Sequence, residues 1–523
     1  MFYEILLPLK LNWMPTYSHE EPLLRGTRVK VTFAHREYVG VVMDSSSSAG
    51  VDREKILQIS EVSTGLPSIS GSELELWRFL SEYYLCTMGE VYKAAYPQQK
   101  IKSELVLSRK SPTPLPAEPM GNGRRSSSKP AVIGGPDRFS VYARELHRTI
   151  DNGRSALILM PTMTGSNALK KFLKAEFKDD LLIHNSSQTP VQRRRTAEIL
   201  RSGKAVAVAG TRSSIFLPFP DLGLVIVDEE QDSSYKQSEP NPRYNGRDAA
   251  IMLARTHSAD VILGTDSPSL ETLHNLDCGK FVRHPESSAT AGGRIDMIDL
   301  QSESAKRGVK EAFSYKLLNR IKASPGPVCL IRGWEKEDDL ASQADAMLPG
   351  IKTDILTVQE ALDSGTGYAL TALLQADYLF DKEDFRSDEK ALHILSRLAC
   401  NHRQLIIQTS RAAHPVYSLL AERSDASSLL AERETFGLPP FSRLTDVVLR
   451  DDNPGRFAKF ASILESRMPE AMPMRTPGVL RLRFRLPLSP SAATAKKRIA
   501  LTVNSIESEY RYSGHIHIDV DPQ

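Results

Sequence analysis

The chain of 523 residues has four cysteines, Cys86, Cys278, Cys329 and Cys400, and no two of them make a CxxC pair. A zinc ribbon closes its tetrahedron with paired ligands a few residues apart. No zinc or other metal site is therefore expected. Scattered single thiols are what a reducing compartment leaves in a protein. No stretch of about twenty apolar residues occurs, so nothing is built to span a bilayer. The opening MFYEILLPLKLNW carries Glu4 and lacks the basic start and long apolar core of a signal peptide. A cytoplasmic location with no membrane partner is the expectation. Charge of one sign is lacking too: 67 Lys and Arg stand against 64 Asp and Glu, a net +3. That balance permits a nucleic-acid partner without requiring one. Finally, neither GKT nor GKS occurs anywhere, so the lysine-and-hydroxyl end of a phosphate-binding loop is missing.

What is present reads as several domains. Residues 1–102 open with a strand-like EILLPLKL. Two alternating runs around His35-Arg36-Glu37 then read as a β-hairpin, and Leu74 to Leu85 has helical spacing. Residues 103–130 are rich in Pro, Ser, Gly and Arg, with Arg124, Arg125 and Lys129, and read as a flexible linker. Over 131–285, helical patterns alternate with apolar strands at 156–160, 205–209, 224–227 and 260–264, the signature of a doubly wound α/β unit. Residues 286–410 read as a second, reduced α/β lobe. Residues 411–523 form a C-terminal α+β domain.

The densest signal is Gly210 to Asp248, GTRSSIFLPFPDLGLVIVDEEQDSSYKQSEPNPRYNGRD. Leu222 to Val227 is a continuous apolar run, as in a strand buried on both faces. It ends in Asp228-Glu229-Glu230, at the strand edge where α/β folds place their ligand crevice. Acids there hold Mg²⁺ and orient water in nucleotide hydrolases; they also serve simply to cap the next helix. GTRS upstream with DSSYKQ and RYNGRD downstream resembles the PriA family, the primosomal replication-restart superfamily 2 helicases of bacteria. LLAERETFGLPPFSRL at Leu430 to Leu444 and the final IDVDPQ are similar to that family as well, as are QADYLFDKEDFRSDE and QLIIQTSRAAHPV in the second lobe.

The resemblance implies a 3′ DNA-binding domain over 1–102, two RecA-like helicase lobes at 131–285 and 286–410, and a family C-terminal domain over 411–523. It also implies ATP, Mg²⁺ and zinc, and here the chain departs from the pattern. The stretch that resembles the family's GSGKT loop reads Gly134-Gly135-Pro136-Asp137-Arg138-Phe139. Arg138 replaces the lysine and Phe139 the hydroxyl, and Pro136 removes a backbone donor. The family's SAT motif becomes Thr265-Asp266-Ser267-Pro268, with an acid in the middle. The GRAGR loop becomes Leu398 to Arg403, where Arg403 could stand in for one arginine. The eight-cysteine zinc insertion is missing. The chain thus reads as a degenerate member. Asp228 and Glu229 are a remnant acidic motif, and Gly134, Gly135 and Arg138 a degenerate nucleotide loop, with no cofactor expected.

For DNA, Thr211 and Arg212 follow a strand with hydroxyl and cation. Lys236, Arg243 and Arg247 interleave cations with aromatics. The family's Phe-Asp-Tyr pocket for a terminal nucleotide reads Pro15-Thr16-Tyr17, leaving Tyr17 to stack on a base. Arg481, Arg483 and Arg485 alternate with Leu482 and Phe484, so a strand places all three on one face. The resemblance implies forked or single-stranded DNA and primosomal proteins, among them the replicative helicase or its loader, as partners of a monomer. Two rivals stand: an active divergent ATP-dependent 3′-5′ helicase, and a protein-interaction scaffold without DNA binding.

Overall fold

A computed structural model describes residues 1–48, 56–63, 66–97, 128–163, 166–185, 187–288, 292–334, 336–364, 367–380, 384–423, 426–512 and 515–523. The expected linker, with Arg124 and Arg125, lies outside the described residues except for Ser128, Lys129 and Pro130.

The N-terminal domain is a five-stranded antiparallel sheet in the order Thr16–Ser18, Phe2–Leu6, Arg36–Ser46, Arg28–Phe33, Glu61–Val62. The expected hairpin turns at Ala34 and His35, both with positive φ, as a two-residue turn between twisted strands requires. Helices Gly71–Tyr84 and Met88–Ala95 follow, each started by a capping box, Ser70 with Glu73 and Thr87 with Glu90. Leu74, Trp77, Leu80 and Val91 turn their apolar faces inward.

The first lobe is a seven-stranded parallel sheet. Its order is Val282–Arg283, Ala131–Ile133, Asp260–Gly264, Leu222–Asp228, Ser155–Leu159, Ala207–Gly210, Leu181–His184. Every residue of Leu222–Asp228 and Ser155–Leu159 is buried, as continuous apolar runs in a two-faced sheet must be. The second lobe keeps a five-stranded parallel sheet: Arg294–Asp299, Gln404–Thr409, Leu370–Leu373, Val328–Ile331, Thr353–Leu356.

Helices Pro415–Glu422 and Ser427–Thr435 bury Val416, Leu420 and Leu430 in one core with Leu395, Leu398 and Leu405. These two helices therefore share a core with the second lobe. Beyond it lies a four-stranded antiparallel sheet, Met472–Thr476, Val479–Pro487, Ser442–Arg450, Ile516–Val520. Helices Pro454–Arg467 and Ser491–Tyr510 cover that sheet, burying Phe460, Leu464, Ile499 and Val503 against it. The chain is thus a small β domain, two α/β lobes and a C-terminal α+β domain. Among the described residues no helix is long and apolar enough to cross a membrane, and no cluster of His, Cys, Asp and Glu could hold a metal ion.

Candidate functional site

Strand Leu222–Asp228 delivers Asp228 to the carboxyl edge of the first sheet. Glu229 follows with φ 50, a left-handed turn that drops its side chain back over the same edge. Asp228, Glu229 and Glu230 are all buried. Strand Asp260–Gly264, its neighbour, leads into Thr265 and Asp266. Beyond Asp260–Gly264 in the sheet, strand Ala131–Ile133 runs through Gly134-Gly135 into helix Arg138–Asp151. Three loops from adjacent strands therefore converge on one point.

Arg138 fills that point. Its Nε donates to Asp228 Oδ1 at 3.1 Å, one Nη to Glu229 Oε1 at 2.5 Å and the other to Asp266 Oδ1 at 2.7 Å. One turn along the helix, the Tyr142 hydroxyl donates to Asp228 Oδ1 at 3.0 Å. Gly264 makes room for it, since a Cβ there would stand 1.5 Å from that hydroxyl oxygen. Gln231 donates to Glu229 Oε2 at 2.8 Å and accepts from the Thr265 hydroxyl at 2.7 Å. The guanidinium lies 5.2 Å from the centre of the Phe139 ring, which packs on Phe172. Phe139, at the position of the missing hydroxyl, is the apolar floor beneath the arginine.

The second lobe reaches the same acids. Arg397, on helix Ser387–Asn401, stands 3.9 Å from Glu229 Oε2 and 3.5 Å from Asp232 Oδ2. Arg403, the expected stand-in, is exposed on the loop after that helix; the arginine that arrives lies six positions earlier. Burial pushes the Asp228 carboxyl up to about 6 against the opposing pull of Arg138. Burial presses on Glu229 as well, but Arg138 and Arg397 outweigh it and hold that carboxyl below its usual range. Arg138 itself stays protonated although buried, because three acids surround it.

This arrangement does not fit a nucleotide with its Mg²⁺. One oxygen of each of the three acids that would ligate a metal or orient water already accepts from the Arg138 guanidinium. The glycine turn is occupied too. The Gly134 N–H donates to Ser287 Oγ at 3.0 Å, and Ser288 N–H donates to the Gly134 carbonyl at 3.1 Å. A Cβ on Gly135, whose φ is +108, would meet Ser288 Oγ at 2.1 Å. A phosphate cradle needs such backbone donors turned outward and unpaired.

The residues expected to touch DNA have other work. Lys236 Nζ bonds Asp519 at 2.8 Å and the carbonyls of Arg243 and Val520 at 2.6 Å, with its side chain 6% exposed. It staples the first lobe to the last strand of the C-terminal sheet. Arg243 is buried, donating to the Ser238 carbonyl and pairing with Glu239. Arg247 takes Glu230 at 2.8 Å, Asp248 at 2.9 Å and the Ser269 hydroxyl at 2.9 Å. Arg212 donates to the Ser234 carbonyl at 2.6 Å. Each of these cations is thus bonded to groups of the fold itself. Thr211 remains half-buried at the rim. Tyr17 is 2% exposed and its hydroxyl donates to the Thr32 carbonyl at 2.9 Å. Its ring belongs to the N-terminal core and offers no face to a base.

Arg481, Arg483 and Arg485 do share one face of strand Val479–Pro487, but two of them are tied down. Asp446, fully buried on the neighbouring strand, accepts from Arg481 at 3.2 Å and from both Nε and Nη2 of Arg483 at 2.9 Å. Arg485 is exposed and, among the described residues, donates only to the Phe436 carbonyl, at 2.9 Å.

Comparison with known proteins supplies the relatives. Residues 4–97 match the PriA family described as the 3′DNA-binding domain (3′BD). The replication restart protein PriA of Rickettsia prowazekii (strain Madrid E) is 33% identical over 316 residues, 57% of this chain and 47% of that protein. PriA of Helicobacter pylori (strain J99) is 31% identical over 291 residues, 54% of this chain and 46% of that protein. The chain thus covers about half the length of these relatives. A solved structure of RecG bound to a three-way DNA junction superimposes with a TM-score of 0.37 at 12% identity, over 59% of this chain and 44% of that one. That superposition is too loose to carry an argument, and the two-lobe description rests on the strand orders above. The chain is thus similar to PriA over somewhat more than half its length, with residues 4–97 similar to that family's 3′DNA-binding domain.

Proposed function

We propose that this PriA-like chain is a cytoplasmic replication-restart factor that binds branched or forked DNA and helps assemble the primosome, without an ATP-driven motor. The observation that carries this reading is Arg138 in its acidic site. Phosphoryl transfer is catalysed by positioning and by neutralising charge around the γ-phosphate. Here the neutralising cation is part of the chain and sits where phosphate and metal would have to enter. DNA binding is supported by the match of residues 4–97 to a 3′ DNA-binding domain. Primosomal proteins, the replicative helicase or its loader among them, are the partners this reading assigns. No zinc and no nucleotide take part in it.

Titration of labelled forked DNA, with and without ATP and Mg²⁺, tests it. The expected result is salt-dependent binding whose affinity is the same in both conditions. A fork affinity that ATP shifts would favour the active-helicase rival, and no fork binding at low salt would favour the scaffold rival.

A further inference from the structure

The arginine row of strand Val479–Pro487 has apolar company. The other face of that strand, with Leu480, Leu482 and Phe484, is buried under helices Pro454–Arg467 and Ser491–Tyr510. On the arginine face, edge strand Met472–Thr476 sets Met474 opposite Arg481 and Met472 opposite Arg483. Directly opposed residues of an antiparallel pair leave from the same face of the sheet. Phe385, just before helix Ser387–Asn401, and Leu438, just after helix Ser427–Thr435, stand across from them. Together these side chains line one groove of about 670 Å³. That lies within the range of about 300–1,000 Å³ that binding clefts take. A single exposed apolar residue means little by itself. Here Met472, 63% exposed, and Met474 belong to an apolar lining that Phe385 and Leu438 continue.

The charge of the groove is one-sided. Asp446 takes Nε and Nη2 of Arg483 and so cancels one guanidinium. Glu470, at the groove, is held by Arg498, and Asp384 by Lys390 at 2.8 Å. Among the described side chains this leaves Arg481, 40% exposed, and Arg485 in excess. We propose that the groove docks an acidic segment of a protein partner. An apolar side chain of that segment would lie against Met472, Met474 and Phe385, with its carboxylates on Arg481 and Arg485. Methionine is unbranched and polarizable, so it adapts to whichever apolar side chain arrives. A phosphate backbone would satisfy the arginines but leave the apolar lining unused, which is why a peptide fits better. The proposal rests on the reading of the chain as a primosome-assembly factor and names the surface that holds a partner. Arg485 is shared with the fork phosphate it can reach; the methionines are not.

Fluorescence anisotropy of a labelled peptide, Asp-Glu-Asp-Leu-Phe-Asp-Glu, titrated with the full chain tests this. The peptide is expected to bind with an affinity that falls as salt rises, and a version with Lys at every acid is not. Met472→Ala combined with Met474→Ala is expected to weaken the acidic peptide about tenfold. Melting temperature and fork affinity should stay unchanged in that variant. Arg481→Ala is expected to weaken the peptide about threefold, the size of one exposed ion pair. A wild type that does not bind the peptide, or a double variant that binds it equally well, overturns the groove, while fork binding leaves the proposed function standing. A fork affinity that falls along with the peptide's in the double variant makes the groove a DNA surface and overturns the proposal too. If the peptide binds but forks do not, the groove stands and the proposed function gives way to the scaffold rival.

Discussion

A guanidinium carries five donors in a rigid fork, whereas an ammonium is a point charge on a flexible stem. That difference explains why arginine, and not lysine, suits position 138. Its fork meets three carboxylates on three loops at once. A lysine could not satisfy all three, and a phosphate would leave them mutually repelling. The energetic consequence is testable at this residue. Arg138→Met keeps the bulk but leaves Asp228 and Asp266 buried without their cation, and Glu229 with Arg397 alone at 3.9 Å. Removing one partner of a buried ion pair costs about 3–5 kcal/mol. Chemical denaturation of the first lobe should report a loss of that size. Adding Asp228→Asn and Glu229→Gln to Arg138→Met should recover at least half of it, because the uncompensated charge is then gone. In the sequence, Arg138 and Asp266 each read as a separate loss from the family pattern. They are complementary halves of one ion pair, but 128 positions separate them. Only the parallel order of the strands that precede them brings them together, and no local pattern records it.

At the scale of elements, alternation in strand Val479–Pro487 was legible and gave the right face. What it could not give was the neighbour. The register that pairs Arg483 with Asp446 is set by strand Ser442–Arg450, and a buried acid under a row of arginines converts a basic face into a structural network. The three arginines should therefore separate by assay. Arg485→Ala is expected to lower the salt slope of fork binding by about 0.7–0.9, one phosphate contact, without moving stability. Arg483→Ala is expected to cost about 1–3 kcal/mol, since Asp446 loses two charge-assisted hydrogen bonds in a buried place, and to leave the salt slope unchanged. Urea denaturation and salt titration of each variant check this. The segment from Ser233 to Arg247 teaches the same lesson in reverse. Its cations and aromatics look like a nucleic-acid surface in the sequence. In the fold they bury Tyr235 and Tyr244 and hold Asn245 against the Tyr84 hydroxyl, so composition alone could not tell a DNA path from a domain junction.

Across the whole molecule the two lobes meet through fixed charges. Arg397 of the second lobe faces Glu229 and Asp232 of the first. Arg386 reaches Glu271 at 2.7 Å, and Glu389, held within its own lobe by Arg433 at 3.3 Å, accepts from the Leu270 N–H across the junction. In a motor the contact between lobes is made and broken with the nucleotide. Here the described charge pairs between the lobes, Arg397 with Glu229 and Asp232 and Arg386 with Glu271, are made within the chain. The domain order and the parallel sheets were legible from apolar runs and their spacing. The second lobe read as reduced, and its sheet has five strands against seven in the first, with Leu370–Leu373 and Gln404–Thr409 at its centre. The most direct measurement is ATP hydrolysis by the purified chain with and without forked DNA, for the wild type and for Glu229→Gln side by side. With Arg138 locked into the acidic site, the two proteins should show the same background rate and DNA should not raise it. Hydrolysis that forked DNA stimulates in the wild type and that Glu229→Gln abolishes would contradict the closed site, and would make Arg138 a working phosphate ligand instead of its replacement.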